Sequence, residues 1–383
     1  VRAAAAVLLA TALAQASRAE PPDELFDPLK AIEYDLYDFT PEEQALWEES
    51  RWSANAARLD LGSVTLKELF AVQELQANVR ALPWLAFHLD VQDDRTREAE
   101  VARLSADVLF QIAPGLELAV SGTPDVVKQD SAIGLGVVLT SSDRTRYAVL
   151  RILDDAAFFN LQNPDGAHRD SPVWRAQAEA RWATGPFSAW GRTDLGTNSS
   201  VRFGLAPGQG VRATSDQRSD LEAHVRWAEG GAAAGLRVTA RRLDTAQTTQ
   251  EQQSALRRGF AYARAYLLAP VLPRLALRAG ALGWREKARG TSGGSGYDLS
   301  RWDLGGRLGA LFRPDENWAF EAGYARVYSA QELSGTRLDQ WADKAYGSVR
   351  WAPRERVRLF FLVSHQVTTG DFGGFNGGFQ VIW

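Results

Sequence analysis

From residue 58 to the C-terminus, apolar and polar residues change places at every second position, in short runs separated by turn residues. Trp174, Ala176, Ala178, Ala180 and Trp182 alternate with Arg175, Gln177, Glu179 and Arg181. Leu221, Ala223, Val225 and Trp227 alternate with Glu222, His224 and Arg226. The same pattern returns in Trp302 to Phe312 and in Arg356 to Val363. A period of two puts each apolar set on one face of a β-strand, and no helical period reproduces it. A β-sandwich is also apolar on one face, so the connections must separate the possibilities. Tight links fall at 81–83, 113–115, 141–143, 184–186, 229–232, 269–273, 313–317 and 352–355. Between them lie mostly longer polar ones, near 92–97, 122–130, 155–171, 196–218, 243–253, 286–299, 329–339 and 366–373. Regular exchange of tight and long connections is expected of a membrane barrel with short turns at one rim and loops at the other. A sandwich has no reason to keep it.

The fold expected is therefore all-β: one single-chain antiparallel transmembrane β-barrel over residues 58–383, with short periplasmic turns and longer extracellular loops. Counting the first hairpin, near Arg58 to Arg80, gives about eighteen strands; sixteen is the alternative, because that hairpin is weakly patterned. Trp174 and Trp182 share one face, as do Trp341 and Trp351. At ~3.3 Å per residue and ~40° tilt such pairs are roughly 20–25 Å apart in height, the span of an apolar band between two aromatic girdles. Mean hydropathy, at -0.26, does not show such a wall, since its strands are only half apolar.

The ends of the chain are different material. Arg2, the apolar run 3–14 and the small residues Ser17 and Ala19 read as a secretory signal peptide, 1–19, with cleavage after Ala16 as the alternative. Val1 reads as an alternative start codon rendered literally. Residues 20–51 then hold eleven acids against Lys30 and Arg51, a net charge of -9. Thr40, Pro41, Glu42 and Glu43 supply a cap, a first-turn proline and first-turn acids, so a short helix through Trp47 is expected. The first reading of segment 20–57 is a periplasmic N-terminal segment, and the second is a plug folded back into the pore.

At the other end, Phe375, Phe379, Val381 and Trp383 occupy alternate positions. The order polar–x–Gly–x–x–apolar–x–aromatic, filled by Asn376, Gly378, Val381 and Trp383, resembles the assembly signal of bacterial outer-membrane β-barrel proteins. That resemblance implies the outer membrane of a Gram-negative bacterium, outer-membrane lipid around the wall, and the barrel assembly machinery as a partner of the last strand. By topology, residues 58–383 resemble porin-like channels and barrels proposed to export polysaccharides, and no family site is carried over residue by residue.

An apolar face against lipid leaves the opposite face lining a lumen. It carries Arg175, Arg181, Arg192, Arg226, Arg237, Arg258, Arg264, Arg274, Arg278, Arg307, Arg350 and Arg358, with Arg241 and Arg356, against fewer acids. These are either a positive lining for anionic solutes or a ladder of mutually satisfied wall charges. Trp84, Trp190 and Trp284 are the candidate lumen aromatics, for stacking on sugar rings or for filling volume.

Other chemistry is thin. Cysteine is absent, and the four histidines lack metal-ligand spacing. His88 lies two residues from Asp90, and His224 two from Glu222 and Arg226, so strand-face dyads are possible, but no Gly-x-Ser-x-Gly accompanies them. The Gly-rich stretch 290–296 lacks a Walker ending, and Asn163 to Gly166 reads as a turn rather than a calcium site. The expectation is a non-enzymatic conduit for hydrophilic anionic solutes or saccharide chains, without cofactor, metal or nucleic acid. A periplasmic export partner, gripping the acidic segment, is one further expectation. The alternatives are a plugged structural or adhesive barrel and, behind it, a hydrolase.

Overall fold

The computed structural model describes residues 30–36, 40–52, 55–64, 71–95, 100–122, 133–143, 145–154, 167–169, 174–196, 199–203, 212–248, 253–292, 295–354 and 357–383. The signal-peptide reading, Arg356 and the turn at Asn163 lie outside them. Two helices come first, α1 (Lys30–Leu36) and α2 (Pro41–Ser50). The strands begin with β1 (Ala56–Val64), β2 (Ala71–Leu82), β3 (Leu85–Arg95), β4 (Glu100–Ala113), β5 (Leu116–Gly122), β6 (Ile133–Thr140) and β7 (Tyr147–Asp154). Next come β8 (Ala167–Arg169), β9 (Trp174–Thr184), β10 (Phe187–Gly196), β11 (Ser199–Phe203), β12 (Arg212–Glu229), β13 (Ala232–Thr248) and β14 (Gln253–Leu272). The last are β15 (Leu275–Ser292), β16 (Ser295–Phe312), β17 (Trp318–Leu333), β18 (Thr336–Arg354), β19 (Val357–His365) and β20 (Phe372–Ile382).

Every ladder is antiparallel. β7 pairs with β9 and β10 with β12, so the short β8 and β11 stand outside the cycle and pair with each other. The remaining eighteen strands form the wall. The wall closes where β1 meets β20, with Ala56 opposite Ile382 and Leu59 opposite Phe379. Closure removes both sheet edges, which in lipid would leave backbone groups unpaired. Gly378 stands at this seam, where a Cβ would come within 2.5 Å of the Leu59 carbonyl oxygen.

The eight tight links lie within a residue or two of where the sequence puts them, the β2–β3 and β14–β15 turns falling slightly later, at Pro83–Trp84 and Pro273–Arg274. Gly230 and Gly231 form a two-residue turn with φ of +58° and +84°, the mirror-image geometry whose twist suits a hairpin. The opposite rim differs from expectation. The segments 243–253, 286–299 and 329–339, expected as loops, are largely strand; β14 and β15 are 20 and 18 residues long, while β6 has 8. The ladder continues beyond the membrane there, where water on both faces removes the need for an apolar side. The alternation that marks a strand in sequence fades although the pairing does not.

The burial pattern is inverted relative to a water-soluble sheet. On β16 Leu308 is 69% exposed, whereas its neighbour Arg307 is 8% exposed. Exposed leucines and valines cover the outer face, and most charged wall residues face inward. Trp174, Trp182, Trp341 and Trp351 are exposed on the outer face at both rims. Among the described residues no helix is long and apolar enough to cross a membrane, so the strands must do it.

Leu308 lies between the girdle positions Trp302 and Phe312, near mid-height. Leu308→Arg is expected to lower stability by about 2–4 kcal/mol in urea titrations of the vesicle-embedded protein. A loss under about 1 kcal/mol would show that this face does not meet hydrocarbon.

Candidate functional site

The lumen is occupied by the chain's own N-terminal segment. Thr40 caps α2, with Glu43 N–H donating to Thr40 Oγ1 (3.4 Å) and Thr40 N–H donating to Glu43 Oε2 (3.0 Å). The helix foreseen from this box runs on to Ser50. Over residues 30–36 and 40–52 the segment is not the periplasmic extension expected but lies inside the wall. Ala31, Ile32 and Leu36 of α1 pack against Tyr262, Leu282, Trp284, Val327, Tyr346 and Leu362. Trp52 packs on the other side, against Ala86, Leu109, Val138, Tyr147 and Trp190. An acid-rich segment can sit there because the wall supplies cations.

Asp35 is the deepest junction. Its carboxylate accepts from the Tyr262 hydroxyl (2.8 Å) and from Arg264 (3.1 Å), and pairs with Arg307 (3.0 Å). Glu42 accepts from Arg278 (3.2 Å), and Glu43 pairs with Arg350 (3.3 Å). Arg278 and Arg350 also share the wall acid Glu321, each at 3.1 Å. Glu49 pairs with Arg181 (3.1 Å), and Arg51 runs the other way to wall Glu179 (3.4 Å). Glu48 meets His224 Nδ1 at 2.9 Å, and His224 Nε2 lies 2.9 Å from the Tyr266 hydroxyl. Burial tends to raise the Asp35 carboxyl, but Arg307 and Arg264 outweigh it and leave it below its usual value. Burial acts likewise on Glu42, and Arg278 and Arg350 overcome it, bringing Glu42 down to about 2.

The predicted lumen arginines sort into three groups. Arg264, Arg278, Arg307, Arg350 and Arg181 hold the N-terminal segment. Arg175 pairs with Asp194, Arg192 and Arg237 with Glu222, Arg258 with Glu286, and Arg241 with Asp220, all within the wall. Arg226 and Arg358 are half-buried on the inward face and make no ion pair among the described residues. Arg274 is a correction: it stands exposed in the β14–β15 turn, where strand parity no longer sets direction. Trp84 is another. It is exposed in the β2–β3 turn, after a register shift between Arg80 and Leu82, and stacks on Phe110 at 6.5 Å. Trp190 and Trp284 do face inward, but both are buried, donating to Glu179 (3.0 Å) and Glu286 (3.1 Å) respectively. Asn376 and Gly378 face inward on β20, and Val381 and Trp383 lie on its opposite face.

The histidine dyads do not form. His88 is buried with its ring stacked on Trp52 at 4.1 Å, and neither ring nitrogen has a hydrogen-bond partner among the described residues. His224 turns to Glu48 and Tyr266 rather than to Glu222. Among the described residues no cluster of metal-ligating side chains occurs. Sequence reasoning missed the role of the segment's acids as partners of the wall. The signal was present as a net -9 in residues 20–51 ahead of a slightly positive barrel.

A closed wall, apolar outside and charged within, makes this chain a transmembrane β-barrel. No protein-family model matches it, and no curated protein sequence does. Among solved structures it is similar to a loop L8 deletion mutant of OmpT, an outer membrane protein of Vibrio cholerae: 11% identity, 86% of this chain, 97% of that chain, TM-score 0.37. It is similar also to the toluene transporter TbuX of Ralstonia pickettii: 10% identity, 91% of this chain, 100% of that chain, TM-score 0.37. A third is the outer membrane channel DcaP of Acinetobacter baumannii: 10% identity, 86% and 95% coverage, TM-score 0.35. At such likeness the class rests on this chain's own register and burial.

Two outcomes follow from the buried pairs. Asp35→Asn leaves Arg264 and Arg307 without their common anion, a loss of about 3–5 kcal/mol in local stability. Hydrogen exchange of α1 and α2 should then speed at least roughly a hundred-fold while the wall strands stay protected; unchanged exchange would mean that Asp35 does not anchor the segment. Because the Glu42 and Asp35 carboxyls are lowered, their stabilisation is complete above the ordinary carboxylate values and is lost as pH falls toward about 2. Pepsin cleavage within residues 30–52 should therefore accelerate between pH 4.5 and 2, and Glu42→Gln, which lacks that titration, should narrow the acceleration.

Proposed function

We propose that this protein is an outer-membrane channel for hydrophilic anionic solutes or saccharide chains, closed in the present conformation by its own N-terminal segment. The observation that carries the reading is the exchangeability of charge inside the wall. Arg264, Arg278, Arg307 and Arg350 are held by carboxylates that belong to a separate, short stretch of chain. Withdrawal of that stretch leaves a wide wall lined by guanidinium groups, which concentrates anions. A periplasmic partner that competes for the acidic segment is one route to withdrawal. No enzymatic step is part of this reading: the pairings His88–Asp90 and His224–Glu222 are not made, and His224 is held between Glu48 of the N-terminal segment and Tyr266 of the wall.

A second reading, a permanently plugged structural barrel, is favoured by the number of buried ion pairs that hold the segment. Planar-bilayer conductance separates the two. The full-length protein should open rarely, whereas a variant lacking residues 20–52 should give stable openings with an anion-selective reversal potential. That deletion leaves β1 and the seam intact. If the deleted variant is folded and silent, the channel reading fails and the structural one stands.

A further inference from the structure

We propose that the outer face of β13–β15, at the outer rim of the membrane band, is a headgroup site for a phosphorylated glycolipid of the outer leaflet. The argument starts from height. Ten positions separate Leu275 from Arg285 on β15, Phe312 from Trp302 on β16, and Trp351 from Trp341 on β18. Each interval projects to about 25 Å, one apolar band. Arg285 therefore stands level with the outer aromatic girdle of Trp302, Tyr328 and Trp341, whose rings pack tilted against one another with centroids 5.4 and 5.2 Å apart. Lys287 is one step higher on the same face, and both cations are exposed.

Register places a third cation beside them. Arg242 on β13 and Lys287 on β15 both lie opposite Gly259 of β14. Their stems thus rise about 10 Å apart, two strand spacings, over a position that has no side chain. The gap admits an anionic group from the side. Arg257 stands one step above Gly259, opposite Asp244 and Arg289.

The cations are not equivalent. Nearby Arg289 is held by Asp298 (2.9 Å), and Arg326 lies over the Trp341 ring at 4.5 Å, so both have internal partners. Arg285 and Lys287 make no ion pair among the described residues, although the ladder puts them on a face shared with acids two strands away. Below them the same face is small and apolar, through Ala261, Gly283 and Ala281. Positive charge at headgroup height, with apolar wall beneath, is complementary to an amphiphile whose phosphates sit at the surface and whose chains descend. The whole protein is slightly acidic, at -4, so this local excess is not a general property of its surface.

The test is native mass spectrometry of the full-length folded protein, counting retained bis-phosphorylated lipid A. Wild type should retain it and should not retain dephosphorylated lipid A of the same acylation. Arg285→Gln with Lys287→Gln should weaken retention roughly thirty-fold, at about a five-fold loss for each cation near a charged surface. Arg285→Lys with Lys287→Arg should restore it. Arg337→Gln, at an exposed cation already paired with Asp339, should change nothing. Equal retention of both lipids, or equal retention by the double Gln variant, would overturn the site. Complete displacement by millimolar inorganic phosphate would assign it to a free anion instead. A lipid-independent dimer lost in the double variant would assign the face to a second copy of the chain.

Discussion

A guanidinium group taken out of water must find an anion, and that single requirement arranges the interior of this barrel. The outer face of the membrane band is committed to hydrocarbon, so most charges the strands carry at that height are sent inward. There the wall supplies some of the carboxylates, as in Glu321 between Arg278 and Arg350. It does not supply enough. Arg264 and Arg307 both pair with Asp35, which reaches them from α1. The N-terminal segment is thus the complement that lets so cationic a wall be buried at all.

The same requirement explains why the segment takes the form it does. A helix packed on one side would show an apolar stripe, but α2 is enclosed on most sides by a charged wall, with Glu49 exposed. Glu43, Gln44 and Glu48 are as buried as Ala45 and Trp47. Its tryptophans are used where the wall is cationic: the Arg58 guanidinium lies 5.9 Å from the Trp47 ring, and that of Arg151 5.3 Å from Trp52.

What could be read from the sequence follows from which forces leave a periodic trace. Hydrocarbon on one side and polar surroundings on the other impose a period of two, so the strands of the membrane band, the girdle tryptophans and the eight tight turns were legible. The upper halves of β13 to β18 were not, because water on the outer face erases the alternation while the ladder runs on. Trp84 and Arg274 were misplaced for a related reason, as parity holds along a strand and lapses in the turn that ends it. The cap of α2 was legible from Thr40 and Glu43 alone. Its destination was not, because a helix buried by ion pairs carries no apolar stripe to announce a partner. Only the opposed net charges of the two parts hinted at it.

Pairing by exchange also bears on how such a lumen could open. Pulling one charged partner out of a dry interior is costly, since the other is left uncompensated. A lumen that floods as its segment leaves is different: water reaches Arg264, Arg278, Arg307 and Arg350 together, and solvated pairs contribute only about 0–1 kcal/mol each. On the channel reading, the barrier then lies in the first breach of the packed regions around Ile32 and Trp52 rather than in the sum of the ion pairs. Once water has entered, an anionic solute and the segment's own carboxylates compete for the same guanidinium groups on similar terms. Selectivity and closure would on that account be two uses of one set of side chains.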